Sequence, residues 1–367
     1  MSDGAEKIDK VPWLLVAAVA CACALLILKF LHLLPEQNVW LIALEAVFLG
    51  AGVFSAVHHA EVLALRVGEP FGSIILALAV TVIEAALIIS QMSSGKAGAE
   101  FIGRDTVFAG VLIVLSGIVG LCLLVGGARH GEQAFKLDGA TSALSVLSTL
   151  ACLALILPNY TLTTAGPYYS PSQLGFVGVV SVVLYGIFVF VQTVRHREYF
   201  VSSDSNAKSH AAIKPKGRTV ALSSILLFAS LIVVVLMAKT LSGPIDDMIT
   251  AAHLPPSFVG VVIALLVLLP EGMAALRAAH NNELQTSLNL ALGSAIATIG
   301  LTIPTLAAYS IWANAKLALG LSPQSTALLI LAVFVSSVTL ATGRTTILQG
   351  AVHLVIFGAF LFLSAVP

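Results

Sequence analysis

Two glutamates, Glu84 and Glu271, lie deep inside long apolar runs, and the residues leading to them read alike: Ala77-Leu78-Ala79-Val80 and Ala264-Leu265-Leu266-Val267. A carboxylate placed mid-helix in hydrocarbon costs at least about 2.5–3.5 kcal/mol, so such groups face a bundle interior and serve an ion or proton path. Two of them in matching positions predict one shared site. The residues around each suit a hard cation. Pro270 has no N–H, which frees the carbonyl of Leu266 four residues back, and Pro304 does the same for Gly300. Thr81 lies one turn before Glu84 and supplies a hydroxyl on the same face. The span after each glutamate carries small polar residues: Ser116-Gly117 with Gly120 in one, Gly293-Ser294-Ala295 with Asn289 and Thr298 in the other. These allow close helix approach or act as ligands. Carboxylates, hydroxyls, an amide and freed carbonyls together form a hard-cation ligand set, with Glu84 and Glu271 as the metal-binding pair.

The elements that must hold these residues are membrane spans. The chain has 367 residues, 58% hydrophobic and 10% charged, with a mean hydropathy of +1.02, which marks an all-α polytopic membrane protein and excludes a soluble domain. Its 18 acids balance 18 bases, so no basic surface argues for nucleic acid. Cys21, Cys23, Cys122 and Cys152 sit in apolar runs without a CxxC pair or a Cys/His cluster, and read as packed thiols. Runs long enough to cross a bilayer are predicted at Pro12–Leu34, Val39–Leu65, Phe71–Met92, Asp105–Ala128, Gly139–Pro158, Ser172–Arg195, Val220–Gly243, Pro255–Ala279, Leu284–Tyr309, Gln324–Thr342 and Thr345–Val366. The first exceeds the apolar stretch of a signal peptide and reads as an uncleaved span. Four segments follow: a tail and first span (1–38), a five-helix repeat (39–195), a basic linker (196–218) and a second five-helix repeat (219–367).

Each predicted repeat has its glutamate on its second span. An odd-numbered repeat is threaded in opposite senses by its two copies, so Glu84 and Glu271 ride on oppositely directed helices, the inverted-repeat plan of many secondary transporters. With the N-terminus cytoplasmic, 13 of the 18 bases, including Lys7, Lys10, Arg66, Arg129, Lys136, Arg277, Arg344 and those of the linker, fall on the cytoplasmic side. The C-terminus is then on the outer side.

Other polar groups read as supporting parts. His58, His59 and Glu61 near the inner end of their helix could line the inner mouth and relay protons; a cluster reaching to water is the alternative. Glu45 reads as a hydrogen-bonded structural acid. Glu100, Asp105, Asp246 and Asp247 lie toward the outer side, where they would attract cations, and His280-Asn281-Asn282-Glu283 is a structural turn. No nucleophile or metal triad for an enzyme has persuasive spacing, and the HHxE order is not the HExxH of a zinc protease. A channel would show repeated carbonyl loops or rings of acids.

Several stretches resemble the calcium/cation antiporter superfamily: His58-His59-Ala60-Glu61, Gly68-Glu69-Pro70-Phe71-Gly72, Thr81-Val82-Ile83-Glu84, Leu269-Pro270-Glu271-Gly272, and Gly293-Ser294-Ala295-Ile296 ending at Pro304. Within it, RDTVFAGVLIVLSGIVGLCLLVGGARHGEQAF and FVFVQTVRHREYF are similar to the bacterial ChaA-type calcium/proton antiporters. The resemblance implies eleven spans, one spare helix plus two inverted five-helix repeats, and a cation and proton site at the paired glutamates. It also covers sodium/proton and potassium/proton exchange. Where many relatives carry Asn, this chain has Val82, Ile83, Ser116 and Gly117, hence fewer amide ligands. Charge balance supplies a mechanism. Two stranded carboxylates disfavour the closed, transiting state until one divalent cation or two protons neutralise them, so calcium and protons must cross in opposite directions. No resident cofactor is expected; the partners are Ca2+, or Na+ or K+, with H+ and the lipid bilayer.

Overall fold

A computed structural model describes residues 13–33, 38–68, 71–93, 98–201 and 215–366. Lys7, Lys10, Glu36, Glu69, Pro70, Lys96, Lys208 and Lys214 lie outside the described residues. Eleven helices are long and apolar enough to span a membrane. They are α1 (Trp13–Phe30), α2 (Val39–Val67), α3 (Phe71–Met92), α4 (Ala99–His130), α5 (Leu137–Tyr160), α6 (Pro171–Arg195), α7 (Gly217–Ala251), α8 (Phe258–His280), α9 (Leu284–Ala313), α10 (Pro323–Leu340) and α11 (Ile347–Ala365). All eleven predicted spans are present. The largest departure is α7, predicted to stop at Gly243, which continues through Pro244 to Ala251. One proline removes a single N–H, and the turns on either side keep their own ladder, so Asp247 is helical where a loop acid was expected.

Local signals start these helices where the apolar runs begin. Asn38 accepts a hydrogen bond from the Trp40 N–H ahead of α2. Ser170 and Gln173 form a capping box at α6, and Thr346 with Gln349 forms another at α11. Pro171 and Pro323 occupy first-turn positions, where a missing N–H costs nothing. The turn before α11 needs Gly343 at φ 68, a left-handed conformation open to glycine.

The helices form two compact units, each drawing on both predicted halves of the chain. Unit one comprises Met1–Ser94 with Ala207–Ala252, hence α1, α2, α3 and α7. Its central seam joins α2 to α7. Ser230 donates to Ser55 at 2.9 Å, His59 Nδ1 lies 3.2 Å from Ser223 Oγ, and the Thr240 hydroxyl donates to Glu45 at 3.1 Å. Between these contacts a Cβ on Gly52 would come within 3.0 Å of Val234, so the backbones approach closely. The spare helix α1 is tied on by Lys29, whose ammonium lies 2.7 Å from Glu45. Glu45 is thus the structural acid the sequence predicts, buried with a cation and a hydroxyl as partners.

Unit two comprises Gly95–Asn206 with His253–Pro367, hence α4–α6 and α8–α11. Cys122, Ala275 and Ala279 form a buried cluster where α4 and α8 meet, packed against by Leu290 of α9. Cys21 and Cys152, by contrast, are exposed, so the packed-thiol reading holds for Cys122 but not for these two. On the outer face of α6, Phe176, Val179, Val183 and Ile187 form an apolar stripe at helical spacing, as lipid contact requires. Small residues let α4 and α11 touch almost backbone to backbone. A Cβ on Gly127 would sit 2.6 Å from the Ile347 nitrogen, and one on Gly350 would collide with Leu124.

Two short antiparallel pairings close the ends of this unit. Gln133 and Ala134, after α4, pair with Thr345 and Arg344, before α11. Tyr168, before α6, bridges to Ala318, after α9. At the first end the Gln133 amide donates to the Ala279 carbonyl at 3.2 Å and to Asn282 at 2.9 Å. The His280–Glu283 turn is therefore structural, as predicted. At the other end Arg104 donates to the Gly320 carbonyl at 2.9 Å, and the Tyr169 hydroxyl donates to the Leu153 carbonyl at 2.7 Å. Burial pushes the Tyr169 hydroxyl up to about 12, which keeps it a donor at physiological pH.

Glycine contacts separate tolerant positions from intolerant ones. Gly350→Val should lower thermal stability in detergent by about 1–3 kcal/mol or prevent folding, because the α4–α11 seam has no room to relax. Gly293→Ala should leave the melting temperature unchanged, since nothing lies within 4 Å of its Cβ position.

Candidate cation site

Glu84 lies on α3 in unit one and is 3% exposed; Thr81, one turn earlier on the same helix, is 4% exposed. Glu271 lies on α8 in unit two, partly buried, and its carboxylate accepts a hydrogen bond from the Ser294 hydroxyl of α9. Two of the predicted site residues therefore meet within unit two. Thr298 is buried one turn further along α9, and its methyl group would contact a Cβ on Gly110 of α4 at 3.6 Å. The residue after the glutamate, Gly272, brings α8 within reach of Ile118 of α4, whose side chain would be 3.1 Å from a Cβ there.

The helix α8 runs unbroken through Pro270, so the Leu266 carbonyl, four residues back, has no amide hydrogen above it in the ladder. Around Gly300 the structure departs from the plain helix expected. Residues Thr298–Thr302 form a π turn immediately before Pro304. Gly300 itself packs against Tyr185 of α6, whose Cβ would be 2.8 Å from one on the glycine. Tyr185, 8% exposed, lies within electrostatic range of the Glu271 carboxylate. It went unnoticed in the sequence because one Tyr in an apolar run of α6 carries no pattern linking it to α8.

The structure does not bring every predicted residue to the site. Asn289 donates to the Phe200 carbonyl, holding the chain leaving α6, and accepts from Gln285 of its own helix at 3.0 Å, so both ends of its amide are engaged away from the glutamate. Five residues before Ser294, it points about 140° away around the helix. Gly293 makes no close helix contact, so the small-residue argument fails there, while Gly117 and Gly120 do lie against Phe357 and His353. Ser116 is fully buried, with no hydrogen-bond partner among the described residues. His59 is fully buried and bonded toward Ser223, whereas Glu61 is exposed, so the two occupy different faces of α2 and are not brought together as a relay. His58 stacks edge-on against His59 at 5.2 Å. The outer acids are engaged as well. Asp105 pairs with Arg104 at 2.8 Å, and Glu100 accepts from Tyr168 at 3.2 Å.

Among the described residues, eleven helices able to span a membrane, with a buried carboxylate on α3 and a partly buried one on α8 where hydrocarbon would otherwise forbid them, define a multi-pass membrane protein built to handle ions. The chain belongs to the sodium/calcium exchanger protein family, whose model matches residues 37–194 and 222–366. It is 52% identical over 345 residues to y4hA of Sinorhizobium fredii, a provisionally named ionic transporter, covering 94% of each chain. It is 35% identical over 316 residues to the sodium-potassium/proton antiporter ChaA of Escherichia coli, covering 85% of each. Its fold matches the native YfkE structure with a TM-score of 0.73 at 20% identity, over 96% of this chain and 100% of that one. Membership of this family makes the protein a cation antiporter.

The Ser294 contact yields a direct expectation. Ser294→Ala should weaken cation binding about tenfold by isothermal titration, the value of one hydrogen bond to a charged group, and Ser294→Thr should restore most of it.

Proposed function

We propose that this antiporter exchanges Ca2+ for protons across a bacterial inner membrane by alternating access, with Glu84 and Glu271 as the groups that cation and protons neutralise in turn. The observation that carries this reading is a carboxylate on a spanning helix of each unit, Glu84 buried and Glu271 partly buried and hydrogen-bonded to a hydroxyl in the pattern of a cation ligand set. Ionised and empty, such groups disfavour the closed state that must cross between the two faces of the membrane. One divalent cation or two protons relieve this, which couples their movements in opposite directions.

An inverted repeat is supported by correspondences within unit two. The link between α4 and α5 pairs with the link between α10 and α11, and the link between α5 and α6 pairs with the link between α9 and α10. Each span that follows a glutamate helix carries a π turn, Ile113–Ile118 in α4 and Thr298–Thr302 in α9. The distribution of basic residues supports a cytoplasmic N-terminus and a periplasmic C-terminus, and an inward proton gradient would then drive cation efflux.

Monovalent exchange is the second reading. It is favoured by the 35% identity to the sodium-potassium/proton antiporter of Escherichia coli and by a hydroxyl-rich, amide-poor neighbourhood, which suits Na+ or K+ with one glutamate protonated. The test is proton flux in liposomes loaded with a pH-sensitive dye, acid inside, challenged separately with calcium, sodium and potassium. Calcium should alkalinise the lumen, and Glu84→Gln and Glu271→Gln should each abolish the response. A response confined to sodium or potassium moves the function to monovalent exchange. Flux surviving either substitution removes the carboxylate mechanism.

A further inference from the structure

A fully buried histidine of α11, His353, has no part in the exchange chemistry described so far, yet both its ring nitrogens are engaged. Nδ1 lies 2.7 Å from the Leu115 carbonyl of α4, and Nε2 lies 3.2 Å from the Thr339 hydroxyl of α10. A carbonyl can only accept, so Nδ1 carries the hydrogen, and Nε2 of the neutral ring accepts from Thr339.

The reason that carbonyl needs a donor lies in the backbone. Within the π turn Ile113–Ile118, the Val119 N–H bonds the carbonyl of Val114, five residues back. In an α-helix the same N–H would have served Leu115, four residues back. The widened turn thus displaces one carbonyl from its usual partner in a place without water. Ser116, the neighbouring hydroxyl, forms no hydrogen bond among the described residues. The His353 ring supplies the donor instead, and it reaches α4 because Gly120 leaves room: a Cβ there would be 3.0 Å from that of His353.

The same π turn leads to the site. Its last residue, Ile118, lies against Gly272, next to Glu271. We propose that His353 is a positioning residue: by holding the Leu115 carbonyl it keeps the π turn of α4 in one arrangement, and through Ile118 it sets where α8 presents Glu271. The functional consequence rests on the cation-exchange reading above; the structural one does not.

Three variants in the full-length protein test this. His353→Asn keeps an N–H where Nδ1 stands, because the Asn amide nitrogen is the same number of bonds from the backbone. His353→Leu removes the donor and retains an apolar side chain. Thr339→Val removes only the group that orients the ring. Two readouts apply: the half-saturating cation concentration and maximal rate in liposomes, and hydrogen–deuterium exchange over residues 113–120. His353→Leu should raise the half-saturating concentration about tenfold, the support given by one buried hydrogen bond, with the maximal rate within about twofold and protection of the π turn lost. His353→Asn should resemble the parent in both readouts, and Thr339→Val should shift both in the same direction by less. An Asn variant as impaired as the Leu variant overturns the proposal, as does a Leu variant equal to the parent. Should the Leu variant fail to insert, Thr339→Val decides: parental behaviour in both readouts overturns it. If the parent exchanges no cation, the transport reading fails, and deuterium exchange alone judges whether His353 holds the turn.

Discussion

A polar group carried into hydrocarbon has to find its partner inside the protein, because water is not there to supply one, and each failure costs several kcal/mol. Much of the described architecture answers that demand. Glu45 is met by Lys29 and Thr240, Ser55 by Ser230, Glu271 by Ser294, and the displaced Leu115 carbonyl by His353. Each pair joins two different helices, so satisfying a polar group and fastening the bundle are the same act. A hydrogen bond in this setting decides which faces of two helices meet, whereas apolar side chains would pack nearly as well against lipid.

The constraint that builds the scaffold also explains how such a protein could transport. A carboxylate whose charge is matched by a cation or a proton can be enclosed; one left bare cannot. Under the proposed mechanism, neutrality is then the condition for changing state, with no separate latch. Glu271 accepts from the Ser294 hydroxyl and has Tyr185 within electrostatic range, oxygens that the proposed mechanism would use as cation ligands. Glu45 differs because the Lys29 ammonium is paired with it, which suits a fastening role.

Small residues complete the arrangement by letting helix backbones approach where hydrogen bonds or π turns require it. Gly120 makes space for His353, Gly300 for Tyr185, and Gly272 for Ile118. At the ends of unit two, the Gln133–Thr345 and Tyr168–Ala318 pairings tie together links that lie far apart in the chain. These contacts give the π turns of α4 and α9 fixed surroundings.

What the sequence by itself determined is what a one-dimensional pattern can carry. Apolar length against bilayer thickness located all eleven spans, most to within a few residues, and the isolated Glu84, Glu271 and Glu45 stood out because charge in such runs is costly. Neighbours on one helix were legible too, as Thr81 beside Glu84 shows. Tertiary structure decided the rest. Asn289 and Ser294 look equally suited to ligate a cation, but 140° of helical rotation sends one to Phe200 and the other to Glu271. The π turns had no composition to announce them, since they depend on partners such as His353, 238 residues from Leu115 in the chain. One boundary between the compact units falls within the linker at 196–218, while the other two, after Ser94 and after Ala252, had no such marker, because helices associate through matched faces and glycine seams. Hydrophobicity is a sum over local residues and is visible in sequence; which polar groups meet depends on helix rotation and approach, which exist only in three dimensions.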